Sequence, residues 1–226
     1  LKRSSRDMSI IATVFIPEGI AMAADSRLTG LTVHPDGTRD RRILSDNSQK
    51  LFLIKNNTIG ISCCGDAAIG GKSVGDFIRS FEIDEIKEED NIKDVVYKLV
   101  KYTQEKHGNG VTYHVCGYYN DEQYVYNINN KEVIRPNLNN DKIASGASWN
   151  GETDALVNLM ASSKSMKVDW KFMQLKDGMD FAEFMIDLTI KTQRFNTGIA
   201  TCGGPIDLLV ITKDYAKFIK HKILHP

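Results

Sequence analysis

Apolar residues recur along this chain in two periods, and the change between them marks out the elements. Ser9 to Ile16 (SIIATVFI) is a short, β-branched, almost wholly apolar run, the composition of a buried strand. Pro17-Glu18-Gly19 is a turn signal, and Ile20 to Arg27 is a second run, so the pair predicts an antiparallel hairpin. Leu28 to Ser48 is polar and reads as a long exposed loop carrying the basic cluster Arg39 to Arg42. Lys50 to Lys55 and Thr58 to Cys64 predict a second hairpin about Asn56-Asn57. Helical spacing follows over Ala67 to Phe81 (Ile69, Val74, Phe77, Ile78, Phe81), with Gly70 and Gly71 weakening its start. Ile92 to His107 is a clearer amphipathic helix with Val95, Val96, Leu99 and Val100 on one face.

Strand-like runs then cover Val111 to Tyr118, Gln123 to Ile128, Glu132 to Ile134 and Lys142 to Ser145. Helices are expected over Gly151 to Ser163 and Met179 to Phe195, and a closing hairpin over Pro205 to Thr212 and Ala216 to Ile219. Strands at both ends and in the middle, with helices in pairs between them, suit an α+β fold in which two antiparallel sheets pack face to face under covering helices. No repeat or linker divides the chain, which reads as one domain over residues 9–226 behind a short extension, residues 1–8.

Composition narrows the function classes. The 226 residues carry 29 Lys+Arg against 29 Asp+Glu, so no basic excess points to nucleic acid. No run approaches the ~18 apolar residues needed to cross a bilayer, and no signal-peptide core follows the polar start, so no membrane role and a cytoplasmic location are expected. Cys63, Cys64, Cys116 and Cys202 contain no C-x-x-C pair and read as buried small residues, not as a zinc site. Gly65 to Ser73 has five residues between Gly65 and Gly71 where a phosphate loop needs four, and a helix start is the better reading.

Several segments carry a family resemblance. Gly19-Ile-Ala-Met-Ala-Ala-Asp-Ser-Arg27, Lys50-Leu-Phe-Leu-Ile, Gly60-Ile-Ser-Cys-Cys-Gly65-Asp-Ala67, Ala144-Ser-Gly146 and Cys202-Gly-Gly204 occur in the order seen in proteasome-type N-terminal-nucleophile (Ntn) hydrolases. The chain resembles proteasome β subunits and bacterial HslV-type peptidases from Ser9 onward. That resemblance implies the four-layer αββα Ntn sandwich and a peptidase whose first residue supplies a nucleophilic hydroxyl, with its own α-amine (pKa near ~8) as base. By the same resemblance Ser9 is the nucleophile and Lys50 the ammonium that lowers its hydroxyl pKa. Asp25 pairs with Lys50, Arg27 helps fix that lysine, Cys64 and Gly65 form the oxyanion hole, and Ser145 positions the amine. It further implies a peptide or unfolded-protein substrate, a homo-oligomeric ring, a possible ATPase partner, and neither metal nor organic cofactor.

The chain departs from the family pattern in three places. Serine stands where most proteasome subunits have threonine. The carboxylate of the family's D-x-x-S-G is replaced by Ile199, and its serine by Cys202. Residues 1–8 precede Ser9, so its amine becomes available only if they are removed. Two alternatives therefore stay open: a non-catalytic structural or assembly subunit, and an amidase acting on small amides. Asp25 and Lys50 also suit a purely structural ion pair, since charges inside apolar strands need partners.

Overall fold

The structure is a computed structural model; it describes residues 9–161 and 166–224. The extension expected at residues 1–8 lies outside the described residues. In chain order the strands are β1 (Ile10–Ile16), β2 (Gly19–Ala24), β3 (Leu28–Val33), β4 (Arg39–Ser45), β5 (Leu51–Ile54), β6 (Ile59–Gly65) and the two-residue pair β7 (Ala68–Ile69) and β8 (Lys72–Ser73). Helices α1 (Val74–Glu85) and α2 (Ile92–Lys106) follow, then β9 (Val111–Tyr119), β10 (Glu122–Asn129), β11 (Glu132–Ile134), β12 (Leu138–Asn139), β13 (Lys142–Ile143) and β14 (Gly146–Gly151). Helix α3 (Asp154–Met160), a 3-10 turn at Trp170–Phe172, α4 (Leu175–Arg194), β15 (Asp207–Ile211) and β16 (Ala216–Lys220) complete the described chain.

Two five-stranded sheets dominate, ordered β14-β1-β2-β15-β16 and β11-β10-β9-β6-β5, and every pairing is antiparallel. The result is a mixed α/β molecule with several antiparallel sheets and four α-helices among the described residues. Strand alternation sorts the apolar residues into three cores. Ile10, Ala12, Val14 and Ile16 of β1 pack with Ala182, Met185 and Ile186 of α4. Ile11 and Phe15 of the same strand, with Met22 and Leu209 of their own sheet, face Cys116 and Val125 of the second sheet. The outer face of the second sheet (Ile61, Tyr113, Val115) packs on Phe77 and Phe81 of α1 and Val95 and Leu99 of α2. A strand buried on both faces reads as a continuous apolar run, which is why β1 and β2 lack polar alternation.

Caps fix the helix starts: the Ser73 hydroxyl accepts from Asp76 N at 3.1 Å, and Asn91 with Asp94 forms a capping box at α2. Three sequence expectations need correction. Leu28 to Ser48 is not a loop: β3 and β4 pair as a ribbon about the turn after His34, with Arg39, Arg41 and Arg42 exposed along β4. The first helix begins at Val74, because the β7–β8 hairpin takes up the residues around Gly70-Gly71. Finally, Gly146–Gly151 is a strand on β1, whereas the helix expected from Gly151 starts only at Asp154.

Candidate active site

The site forms where β1 begins, β2 ends and the β5–β6 hairpin opens. Asp25 directly follows β2 and is fully buried. Its Oδ1 accepts from Ile10 N at 3.0 Å and from Lys50 Nζ at 2.7 Å. Its Oδ2 accepts from Arg27 N and Gly203 N, each at 3.1 Å. Four donors on one buried carboxylate remove the usual objection to burying a charge, since each lone-pair region meets a hydrogen. Lys50, 4% exposed and immediately before β5, also donates Nζ to Arg27 O at 2.6 Å. The ammonium is thus held by one carboxylate and one carbonyl.

Ser9 is buried at the start of β1 and lines a cavity of about 20 Å³ with Lys50, Cys64, Gly65 and Asp66. That space is about the size of one water. The structure therefore brings Ser9, Asp25, Lys50, Cys64 and Gly65 to one place. Cys63 N donates to Lys50 O at 3.0 Å, and Asp66 N to Gly110 O at 3.0 Å on the opposite edge of the strand. Alternation along β6 then turns Gly65 N–H to the Lys50 side, where β5 has already ended, and Cys64 N–H toward β9. Gly65 has φ +114°, and an added Cβ would lie 2.2 Å from Gly110 O, so no other residue fits there.

Three expected site residues behave differently. Cys64 lines the cavity but turns its N–H to β9, so of the expected oxyanion-hole pair Gly65 alone faces the site. The Arg27 guanidinium does not reach Lys50; it grips Asp46 through Nε at 2.6 Å and Nη2 at 2.9 Å, and Nη1 donates to Ala200 O at 3.1 Å. That contact holds the Asp46 carboxyl below its ordinary pKa and raises that of Arg27. Arg27 serves the lysine through its carbonyl instead. Ser145 is not at the site. In the β1–β14 register Gly146 faces Phe15 and Gly151 faces Ile10, so Ser145 sits at the far end of β14, roughly 20 Å from Ser9. It lines a separate cavity with Ile16 and Tyr118.

The end of β14 that does meet Ser9 was missed. Glu152 N donates to Ser9 O at 2.8 Å. Gly151, at φ +104°, passes so close that a Cβ would lie 1.9 Å from Ser9 O. GASWNG does alternate, apolar Ala147 and Trp149 with polar Ser148 and Asn150, but it is short, lacks β-branching and is bounded by glycines, so the strand signal was weak and was passed over. Asp46 was missed because it lay in a stretch read as loop. The neighbouring thiols are poor nucleophiles: burial pushes Cys63 up to about 12 against the opposing pull of Lys50, and Cys202 is raised well above its ordinary value, first by burial and then by Asp25. Among the described residues no group of three or more His, Cys, Asp or Glu is arranged to hold a metal ion.

Comparison with known proteins corrects the family assignment. No family model matches this chain, and no curated protein matches it. Among solved structures the chain is similar to Anbu, as its Gly-1 mutant from Hyphomicrobium sp. strain MC1, with a TM-score of 0.63. The match covers 94% of this chain and 85% of that one at 14% identity. Identity that low shows a shared fold alone. Membership of the proteasome β/HslV-type peptidase family, suggested by the motifs, is therefore withdrawn, and any activity has to be argued from the site itself.

Proposed function

We propose that the chain is an amide-bond hydrolase, cleaving peptides, in which Ser9 is the nucleophile once residues 1–8 are removed. One observation carries the reading: Ser9 shares a small cavity with a buried lysine whose ammonium is bonded to a buried, fully hydrogen-bonded aspartate. A purely structural ion pair requires neither a buried hydroxyl nor a space beside it.

In this mechanism Ser9 Oγ attacks the scissile carbonyl carbon while its proton passes to the freed α-amine of the same residue. Lys50 stabilises the developing alkoxide, and Asp25 holds Lys50 in place. The carbonyl oxygen, now negative, accepts from Gly65 N–H. The proton on the amine moves to the leaving nitrogen as the C–N bond breaks, leaving an ester on Ser9. A water then gives its proton to the amine and attacks the ester, releasing the acid and restoring the hydroxyl. The three cores described above support an αββα layering as the rigid frame for these groups. Exposed Val33, Ile43 and Leu44 on the β3–β4 ribbon support association into a homo-oligomer.

A second reading, hydrolysis of a small amide, would use the same arrangement of Ser9, Lys50 and Asp25. Turnover of peptides against small acyl-amides separates the two. The test of the main reading is mass spectrometry of protein made from its natural start, paired with peptide hydrolysis. A chain beginning at Ser9 that cleaves peptides is expected; an intact Met8–Ser9 bond in an active preparation would overturn it.

A further inference from the structure

Beside the Ser9 end of β14 lies a cavity of about 180 Å³ lined by Arg41, Glu152, Asp154, Gln193, Ile199 and Thr201. Two carboxylates line it, and the position of Glu152 is fixed on both sides. Its backbone is tied to Ser9, since Glu152 N donates to Ser9 O, and register places it next after Gly151 opposite the start of β1. Its side chain is held from the other direction: Thr201 Oγ1, 2% exposed as a residue, donates to Glu152 Oε1 at 2.8 Å. Gln193 of α4 braces this arrangement, its Nε2 donating to Thr201 Oγ1 at 3.2 Å and its Oε1 accepting from Cys202 N at 2.8 Å. One residue further, Gly203 N reaches Asp25 Oδ2. Thr201-Cys202-Gly203 is therefore a strap with one end on Glu152 and the other on the aspartate that holds Lys50.

From this we infer that Glu152, next after β14, is the carboxylate that positions the Ser9 α-amine and strengthens it as a base. The inference rests on the proposed function. A carboxylate beside an ammonium favours its charged form, so the amine is a stronger proton acceptor with Glu152 present. Other charges also face these groups: Lys50 and Asp66 from the Ser9 cavity, Asp25 through its bond to Lys50, and Arg41 and Asp154 beside Glu152, with the Cys202 thiol under the influence of both Asp25 and Glu152. Glu152 is both bonded to the Ser9 backbone and bonded through its side chain to the strap.

The experiment compares the processed wild type with Glu152→Gln and Glu152→Asp, measuring kcat, KM and the pH dependence of kcat/KM on a peptide substrate. Glu152→Gln is expected to lower kcat by roughly 10- to 100-fold with KM little changed, and to move the acid limb of the profile to lower pH by about one unit. Glu152→Asp should restore part of the rate and move the limb back. An active wild type whose Glu152→Gln variant keeps both rate and acid limb overturns this inference alone. So does a variant with a lowered rate, an unmoved limb and a lower melting temperature, because that pattern is merely structural. A wild type that exposes Ser9 yet hydrolyses no amide overturns the proposed function instead.

Discussion

Two polar clusters are buried against β1, about half its length apart, and they solve the same problem differently. At its start, Asp25 and Lys50 are kept as a charged pair beside a cavity. At its middle, Thr13, His114, Asn150 and Asn127 form a neutral network: Thr13 Oγ1 and His114 Nδ1 are 2.8 Å apart, His114 Nε2 and Asn150 Oδ1 are 2.8 Å apart, and Asn127 Nδ2 donates to Asn150 Oδ1 at 2.6 Å. The acceptor at Asn150 puts the imidazole proton on Nε2, so Nδ1 accepts from the Thr13 hydroxyl. Burial pushes the His114 pKa down to about 4, which keeps the ring uncharged at neutral pH. The lesson is that burial alone does not mark chemistry. The neutral network is satisfied internally and stitches the two sheets together, whereas the charged cluster stands against open space next to a hydroxyl.

The sharpest way to break this contrast is Ser9→Ala. Hydrolysis should fall by ~10³-fold or more while the melting temperature is unchanged, and equal turnover in wild type and variant would remove Ser9 as nucleophile. Next in size is Lys50→Met, which leaves a buried carboxylate without its counter-charge and should cost about 3–5 kcal/mol in urea unfolding as well as nearly all activity. Adding Asp25→Asn should recover part of that stability but none of the rate. If the double variant is as unstable as the single, the two residues do not act as a pair.

The neutral network is probed by pH. His114 has a folded pKa below its unfolded value of 6.5, so its neutral burial contributes stability that is fully present above 6.5 and is lost as pH falls toward 4. The loss should be on the order of 3 kcal/mol. The difference between wild type and His114→Gln in urea midpoints at pH 7.5 and pH 4.5 isolates it, and parallel pH dependence in both would show that the ring does not titrate in this window. Gly151→Ala should cost at least about 1–3 kcal/mol from its backbone strain, with the clash of the new Cβ on Ser9 O adding to it, and lower the rate by shifting Ser9. Arg27→Lys has the smallest expected effect. Its bidentate grip on half-exposed Asp46 is worth about 1 kcal/mol or less, with the lysine still served by the residue 27 carbonyl.

Much of the fold was legible because its cores have clean periodicity. The α2 face through Val95, Val96 and Leu99 was read from spacing alone, and all three are buried against the second sheet. The turn at Asn56-Asn57 was marked by residue types that tolerate the positive φ found at both. The ribbon β3–β4 was not legible, since its exposed residues pair by backbone hydrogen bonds that polarity does not encode. At the site, charges within apolar strands need partners, which pointed Asp25 to Lys50, whereas Ser9 was placed beside them by the family resemblance. The supports supplied by Glu152, Asp46 and the 201–203 strap depend on register and on loop paths. Placing the amine support at Ser145 failed for that reason: only the pairing of β14 with β1 shows which end of the strand meets Ser9.

The most direct measurement treats processed protein with an electrophile that reacts only where a hydroxyl and a free amine share one residue, then maps the adduct by mass spectrometry. The account predicts a single adduct on Ser9 at the start of the mature chain, absent from Ser9→Ala and nearly absent from Lys50→Met. An adduct on any other residue, or hydrolytic activity that survives with Ser9 unlabelled, would contradict it.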